Sequence, residues 1–199
     1  YKVFNVAEFN KRNFEPNTRY AKIEFLKKNK FEGYILGNSR VNGYDVKLAT
    51  QLTGNAFYNL TAGSESPFGM HKKIQWLLKN QPVKQLILAI DFEEFEQPLD
   101  RNDNELSSQE HPDVSGMSPF LFYWKYLWVH PYIHAVNFYG NAVKKDTWYK
   151  FDRTTGHYYF PLFDRMMANS PEKYIQQRFN TKWAEKIYHV NPAQLSYLR

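Results

Sequence analysis

Residues 33–40 read GYILGNSR, and the succession of apolar run, glycine and serine in this stretch decides the fold. Gly33 to Gly37 is a short apolar run closed by glycine between two helical patterns, which reads as a buried parallel strand. Ser39 falls just past its end. Upstream, Asn17 and Thr18 offer caps for a helix that places Tyr20, Ile23 and Leu26 on one face and ends near Asn29. Downstream, Tyr44 to Leu52 reads as helix, Thr53-Gly54-Asn55 breaks it, and Ala56 to Leu60 (AFYNL) reads as a second strand.

The same order then recurs. Ser66-Pro67 has the cap-then-proline form of a helix start, and Met70, Ile74, Leu77 and Leu78 supply an apolar face until Asn80 to Pro82 stops the helix. Val83 to Ile90 (VKQLILAI) is the most continuous strand pattern in the chain, apolar enough to be buried on both faces, with Asp91 directly after it. Strands alternating with helices predict a parallel sheet with right-handed crossovers, the doubly wound arrangement whose ligand site lies beyond the carboxyl ends of the strands. The loops after Gly37, Leu60 and Ile90 are therefore expected to converge.

After Phe95 the alternation stops. Gln97 to Pro119 is rich in Asp, Asn, Ser and Pro and reads as a long surface loop, while Phe120 to Tyr139 (FLFYWKYLWVHPYIHAVNFY) is densely aromatic. Such a stretch serves as core or interface packing, or as a surface for stacking sugars or meeting a membrane. Ser170-Pro171 repeats the helix-start form, and Ile175, Phe179, Trp183 and Ile187, four apart, predict an amphipathic helix over Pro171 to His189. The whole, 1–199, reads as a single domain in which 97–169 is an irregular aromatic-rich insertion. Three clear strands fall short of the roughly five a doubly wound sheet usually has. Carboxy-terminal strands are expected to be missing from this chain or to be supplied by another, and the chain, which begins at Tyr1, reads as trimmed from something longer.

Composition narrows the class. With 43% hydrophobic and 23% charged residues the chain is globular rather than disordered. It contains no cysteine, which excludes disulfides, thiolate metal sites and cysteine nucleophiles. The net charge of +6 comes from scattered basic residues, Lys27, Lys28 and Lys30 forming the densest group, without a nucleic-acid signature, so no nucleic-acid partner is expected. No run approaches the roughly 18 apolar residues of a membrane span, Phe120 to Val129 being interrupted by Lys125. The six histidines lack helical metal-ligand spacing, apart from His130 and His134, which Pro131 interrupts, and neither metal nor cofactor is expected.

A serine at the carboxyl end of a buried strand, on a glycine-flanked turn, can present its hydroxyl to a substrate while adjacent backbone N–H groups face a developing oxyanion. Taken as a tetrapeptide, Gly37-Asn38-Ser39-Arg40 reads more simply as a helix cap. The wider series is more specific. Tyr34-Ile-Leu-Gly-Asn-Ser-Arg40, then Phe57-Tyr-Asn-Leu-Thr-Ala-Gly63, then Leu86-Ile-Leu-Ala-Ile-Asp-Phe92, resembles the SGNH/GDSL hydrolase-like proteins related to bacterial polysaccharide O-acetyltransferases of the alginate-modifying type.

The resemblance covers residues 33 to 95 and implies a three-layer, flavodoxin-like α/β/α domain. It makes Ser39 the nucleophile and Gly63 an oxyanion donor, for a serine-dependent esterase or O-acyltransferase acting on acyl esters of a carbohydrate or cell-envelope substrate. It also implies an extracytoplasmic or membrane-anchored bacterial protein, tethered through a segment preceding Tyr1. Asn38 and Arg40, flanking the serine, are the candidate substrate-binding residues, Arg40 alternatively pairing with Asp45 or Asp91.

Two departures favour an inactive scaffold or glycan-binding module instead. Where the family places an asparagine donor after its third strand, this chain has Asp91, whose carboxylate accepts hydrogen bonds and repels an oxyanion, and which reads as a turn cap. The family's late Asp-x-x-His is also missing. Asp152-Arg-Thr-Thr-Gly-His157 has the wrong spacing and reads as a loop, His71 reads as a partly exposed surface residue, and the base is expected from a part of the protein outside these residues. Asn59-Leu60-Thr61 matches a glycosylation sequon but falls at a strand end beside the site, where a glycan has no room.

Overall fold

The computed structural model describes residues 17–91, 95, 110–129, 150–179 and 192–196. The Asn17 side chain accepts the Tyr20 N–H and so caps α1 (Thr18–Leu26), which ends earlier than the sequence suggests. β1 (Gly33–Leu36) follows, then a 3-10 turn (Ser39–Val41), α2 (Val46–Thr53), β2 (Phe57–Asn59), α3 (Pro67–Asn80) and β3 (Gln85–Leu88). Asp45 caps α2, Gly54 closes it in the left-handed conformation, and Ser66 caps α3 ahead of Pro67.

The three strands are parallel in the order β2-β1-β3, with Gly33 opposite both Phe57 and Gln85. Alternation along the strands divides the core. Tyr34, Leu36, Tyr58 and Leu60 face Ile23 and Leu26 of α1 and Met70, Trp76 and Leu77 of α3, whereas Ile35 and Phe57 face Val46 and Ala49 of α2 on the other side. This is a mixed α/β fold with helices on both faces of a parallel sheet. The winding reverses at β1, because α2 leads to one side of it and α3 crosses to the other.

The structure corrects the reading of 83–90. That segment was expected to be buried on both faces, yet Ile87, Leu88 and Ile90 are 38%, 42% and 51% exposed. Among the described residues β3 pairs with β1 alone and forms an edge of the sheet, while β1, flanked by two strands, is wholly buried. Sequence reports the apolar character of a strand; its neighbours decide how much of that character is covered.

The stretch read as a surface loop is corrected in part. Glu110 and His111 are buried, and α4 (Pro112–Ser115) seats Val114 in the core, while 97–109 lie outside the described residues. α5 (Pro119–Val129) buries Phe122 against the Tyr20 ring and leaves Phe120 and Trp124 exposed and stacked on one another; 130–139 lie outside the described residues. Asp152 to His157, read as a loop, is the turn of a hairpin between β4 (Lys150–Phe151) and β5 (Tyr158–Tyr159). The Asp152 carboxylate organises that turn by accepting from Thr154 and Thr155. The hairpin packs on the outer edge of β2, where the Asn59 N–H donates to Thr155 O. α6 (Pro161–Asn169) and α7 (Pro171–Phe179) follow, so helical structure extends into the segment expected to be irregular, and α8 (Pro192–Leu195) comes last. Ile175 on α7 is half-exposed, and Trp183 and Ile187 lie outside the described residues.

Candidate functional site

The turn after β1 is held at both ends by side chains, with Ser39 exposed between them. On one side the Asn38 Oδ1 accepts the Arg40 N–H at 2.9 Å, and its Nδ2 donates to Asp91 Oδ2 at 3.1 Å, tying the turn to the end of β3. Arg40, itself exposed, forms an ion pair with the same carboxylate. On the other side Asn42 Oδ1 accepts the Thr61 hydroxyl at 2.6 Å, and the fully buried Asn59 donates to Val41 O and Asn42 O. These bonds fasten the turn to the end of β2.

At Gly37 the turn after β1 and the segment after β3 approach each other closely. The Gly37 φ is 153°, and a Cβ there would lie 2.8 Å from Val41 Cγ2 and 2.9 Å from Ala89 Cβ, so only glycine fits the approach of β1 to the segment after β3. Its carbonyl accepts the Ala62 N–H at 3.1 Å, which brings the loop carrying Gly63 alongside the loop carrying Ser39. Gly63 is exposed and has open space over its Cα, and the left-handed backbone falls on its neighbour Ser64, at φ 48°. The convergence expected of the loops after Gly37, Leu60 and Ile90 is thus present in hydrogen bonds.

Beneath the second loop lies a cluster of charges that sequence reasoning missed. Arg19, Lys22, Glu65, Lys73 and Glu110 are each at most 5% exposed. Arg19 Nη1 lies 3.1 Å from Glu65 and 3.3 Å from Glu110; Lys73 pairs with both carboxylates. Two of the cations also hold backbone carbonyls of the loop: Arg19 Nη2 donates to Gly63 O, and Lys22 Nζ donates to Thr61 O at 2.7 Å while lying over the Phe151 and Tyr158 rings. Burial pushes the Lys22 ammonium well below its ordinary range, Lys73 and Arg19 add to this, and the two glutamates oppose it. For Glu65 burial acts upward, but Arg19 and Lys73 outweigh it and hold the carboxyl below its usual value. The available signal was cations within apolar helical stripes: Arg19 and Lys22 beside Ile23 and Leu26, Lys73 between Met70 and Leu77.

The structure separates the remaining candidates. Asn59 of the sequon is fully buried and hydrogen-bonded, so a glycan has no access to it in the folded chain. Asp91 engages Asn38 and Arg40 across the rim instead of pointing a donor into it. His71 is partly exposed on α3. The hairpin carries His157 to the loop after the serine turn, where its Nδ1 lies 3.0 Å from Tyr44 O; a carbonyl only accepts, so Nδ1 carries the proton in that contact. Neither histidine hydrogen-bonds Ser39, and among the described residues the Ser39 hydroxyl has no hydrogen-bond partner. No group of ligating side chains that could hold a metal occurs among the described residues.

Together these features define an α/β protein with an exposed serine on a polar rim at the carboxyl ends of a parallel sheet. No family model, curated protein or solved structure matches the chain.

Proposed function

We propose that the domain is of the flavodoxin-like SGNH type and that Ser39 is the nucleophile of a serine esterase or O-acyltransferase acting on acyl esters of a carbohydrate or cell-envelope substrate. The observation that carries this reading is the exposed Ser39 on a turn braced on both flanks, by Asn38 with Asp91 and by Asn42 with Thr61. Bracing of this kind holds the backbone that carries a reacting hydroxyl in one geometry and spares part of the entropy of ordering it during reaction.

In the proposed reaction Ser39 Oγ bonds to the ester carbonyl carbon and its proton passes to a base. The carbonyl oxygen becomes an oxyanion facing N–H groups of the Ser39 turn and of the loop after β2, each worth about 3 kcal/mol of barrier. Collapse breaks the ester C–O bond, the departing alkoxide takes the proton, and water or a sugar hydroxyl then receives the acyl group from Ser39. The base is a histidine supplied from outside this 199-residue segment. Arg40 and Asn38 border the substrate. The setting consistent with such a substrate is extracytoplasmic or membrane-anchored in a bacterium; no helix among the described residues is long and apolar enough to cross a membrane.

A second reading, an inactive scaffold or glycan-binding module, is favoured by Asp91 occupying the rim and by the Ser39 hydroxyl lacking a partner among the described residues. Labelling by a fluorophosphonate probe separates the two: the wild-type chain is expected to label and Ser39→Ala to remain unlabelled. Equal labelling of both eliminates Ser39 as the nucleophile.

A further inference from the structure

The carboxylate after β3 reaches the serine turn from the neighbouring strand. β1 and β3 pair in parallel as far as Leu36 and Leu88, and the Ala89 N–H donates to Leu36 O at 2.9 Å, so the pairing continues past the strand ends and Asp91 comes alongside residues 38–40. There one oxygen, Asp91 Oδ2, accepts from Asn38 Nδ2 at 3.1 Å and pairs with the Arg40 guanidinium, so it engages the residue on each side of Ser39. Asn38 is buried, and its Oδ1 accepts the Arg40 N–H at 2.9 Å. A backbone N–H only donates and a carboxylate only accepts, so the two ends of the Asn38 amide have a single assignment, nitrogen to Asp91 and oxygen to Arg40. Turned over, the amide would set its NH2 against the Arg40 N–H and its oxygen against the carboxylate. The bond that spans Ser39, from residue 38 to residue 40, therefore depends on an acceptor at position 91.

We propose that Asp91 is a positioning residue for Ser39: acting through Asn38, its carboxylate fixes the amide that closes the turn, and so fixes the backbone from which the serine hydroxyl projects. The inference rests on the acyl-transfer reading for the role of Ser39 but not for the geometry of the turn, and the two fail separately. It also gives the departure at position 91 a use. An asparagine there can present either its oxygen or its NH2 to Asn38, whereas a carboxylate presents oxygen alone, and the Arg40 guanidinium lies against its charge.

The test compares the full chain with Asp91→Ala in two measurements. Hydrogen exchange of the Arg40 N–H is expected to quicken about tenfold, the ratio that goes with losing one hydrogen bond to a charged group, while the amides of Tyr34 to Leu36 keep their wild-type rates. Asp91→Asn, which offers an amide oxygen in the same place, should recover most of the protection. An unchanged Arg40 rate in Asp91→Ala overturns the positioning role. The rate of fluorophosphonate labelling is expected to fall about a hundredfold in Asp91→Ala, the loss that displacing a reacting group brings, and to recover in part in Asp91→Asn. In an Asn38→Ala background the same substitution should add almost nothing, and a second full loss there overturns action through Asn38. Faster exchange with unchanged labelling overturns the role in the reaction and leaves Ser39 as nucleophile. If wild type and Ser39→Ala label equally, the acyl-transfer reading fails, and exchange alone still decides whether Asp91 sets the turn. Asp91→Ser, too short to reach Asn38 in the same way, serves both measurements if Asp91→Ala does not fold.

Discussion

Glu65→Gln isolates the charge of one buried carboxylate with almost no change of shape, so its cost reports the electrostatics of the cluster beneath the rim. In the wild type Glu65 is 1% exposed, and its carboxylate lies 3.1 Å from Arg19 Nη1 and in contact with Lys73 Nζ. At that separation and an effective dielectric of about 20, the Arg19 contact alone is worth about 5 kcal/mol before desolvation, which offsets several kcal/mol of it. After the substitution Arg19, Lys22 and Lys73 have Glu110 as their one remaining buried carboxylate among the described members of the cluster. Breaking a buried pair in this way costs about 3–5 kcal/mol. Against a total stability of about 5–15 kcal/mol the loss is large, and urea unfolding with a slope of about 1–3 kcal/mol per molar registers it as a midpoint lowered by more than 1 M.

The pH dependence supplies an independent sign. The Glu65 pKa is held below its ordinary 4.5 in the folded chain, so its contribution is present above that value and is lost as pH falls through the folded value. The gap between wild type and Glu65→Gln is therefore expected to be widest near neutrality and to narrow in acid. A difference below about 1 kcal/mol at pH 7, the level of a surface ion pair, refutes the reasoning.

Two further outcomes follow from particular contacts. Gly37→Ala is expected to destabilise by about 2–3 kcal/mol, because φ 153° is a glycine conformation and the new methyl meets Val41 and Ala89 at 2.8–3.0 Å; Gly54→Ala, at φ 75° with nothing within 4 Å, should cost only about 1–2 kcal/mol, and thermal unfolding of the pair checks the order. Lys22 has its folded pKa lowered below 10.5, so the unfolded chain binds the extra proton between the two values and stability should rise with pH across that window; Lys22→Met should abolish the rise, and urea midpoints measured from pH 7 to 10.5 decide it.

Much of the local structure was legible in the sequence because its causes are local. Asn17, Asp45 and Ser66 cap helices through atoms two or three residues away, and Gly54 ends α2 by a conformation that other residues resist. The serine turn was legible too, since a glycine and a polar pair after an apolar run signal a strand end. His111 and Glu110 were read as part of a surface loop, because no periodicity surrounds them; their burial depends on Glu24 and Arg19, each more than eighty residues away along the chain.

Over residues 17–91 the sequence by itself determined which segments become strands and helices, in what order, and that Ser39 stands at a strand end, because apolar periodicity, caps and glycines act over a few residues. Only the tertiary structure decided that β3 lies at an edge of the sheet among the described residues, that Asp91 is engaged by Asn38 and Arg40, and that Arg19 and Lys22 hold the backbone of the loop after β2. Those outcomes depend on which chain segments come to lie side by side, and the energy of a charge depends on how much water its neighbours exclude, which no spacing along the chain records.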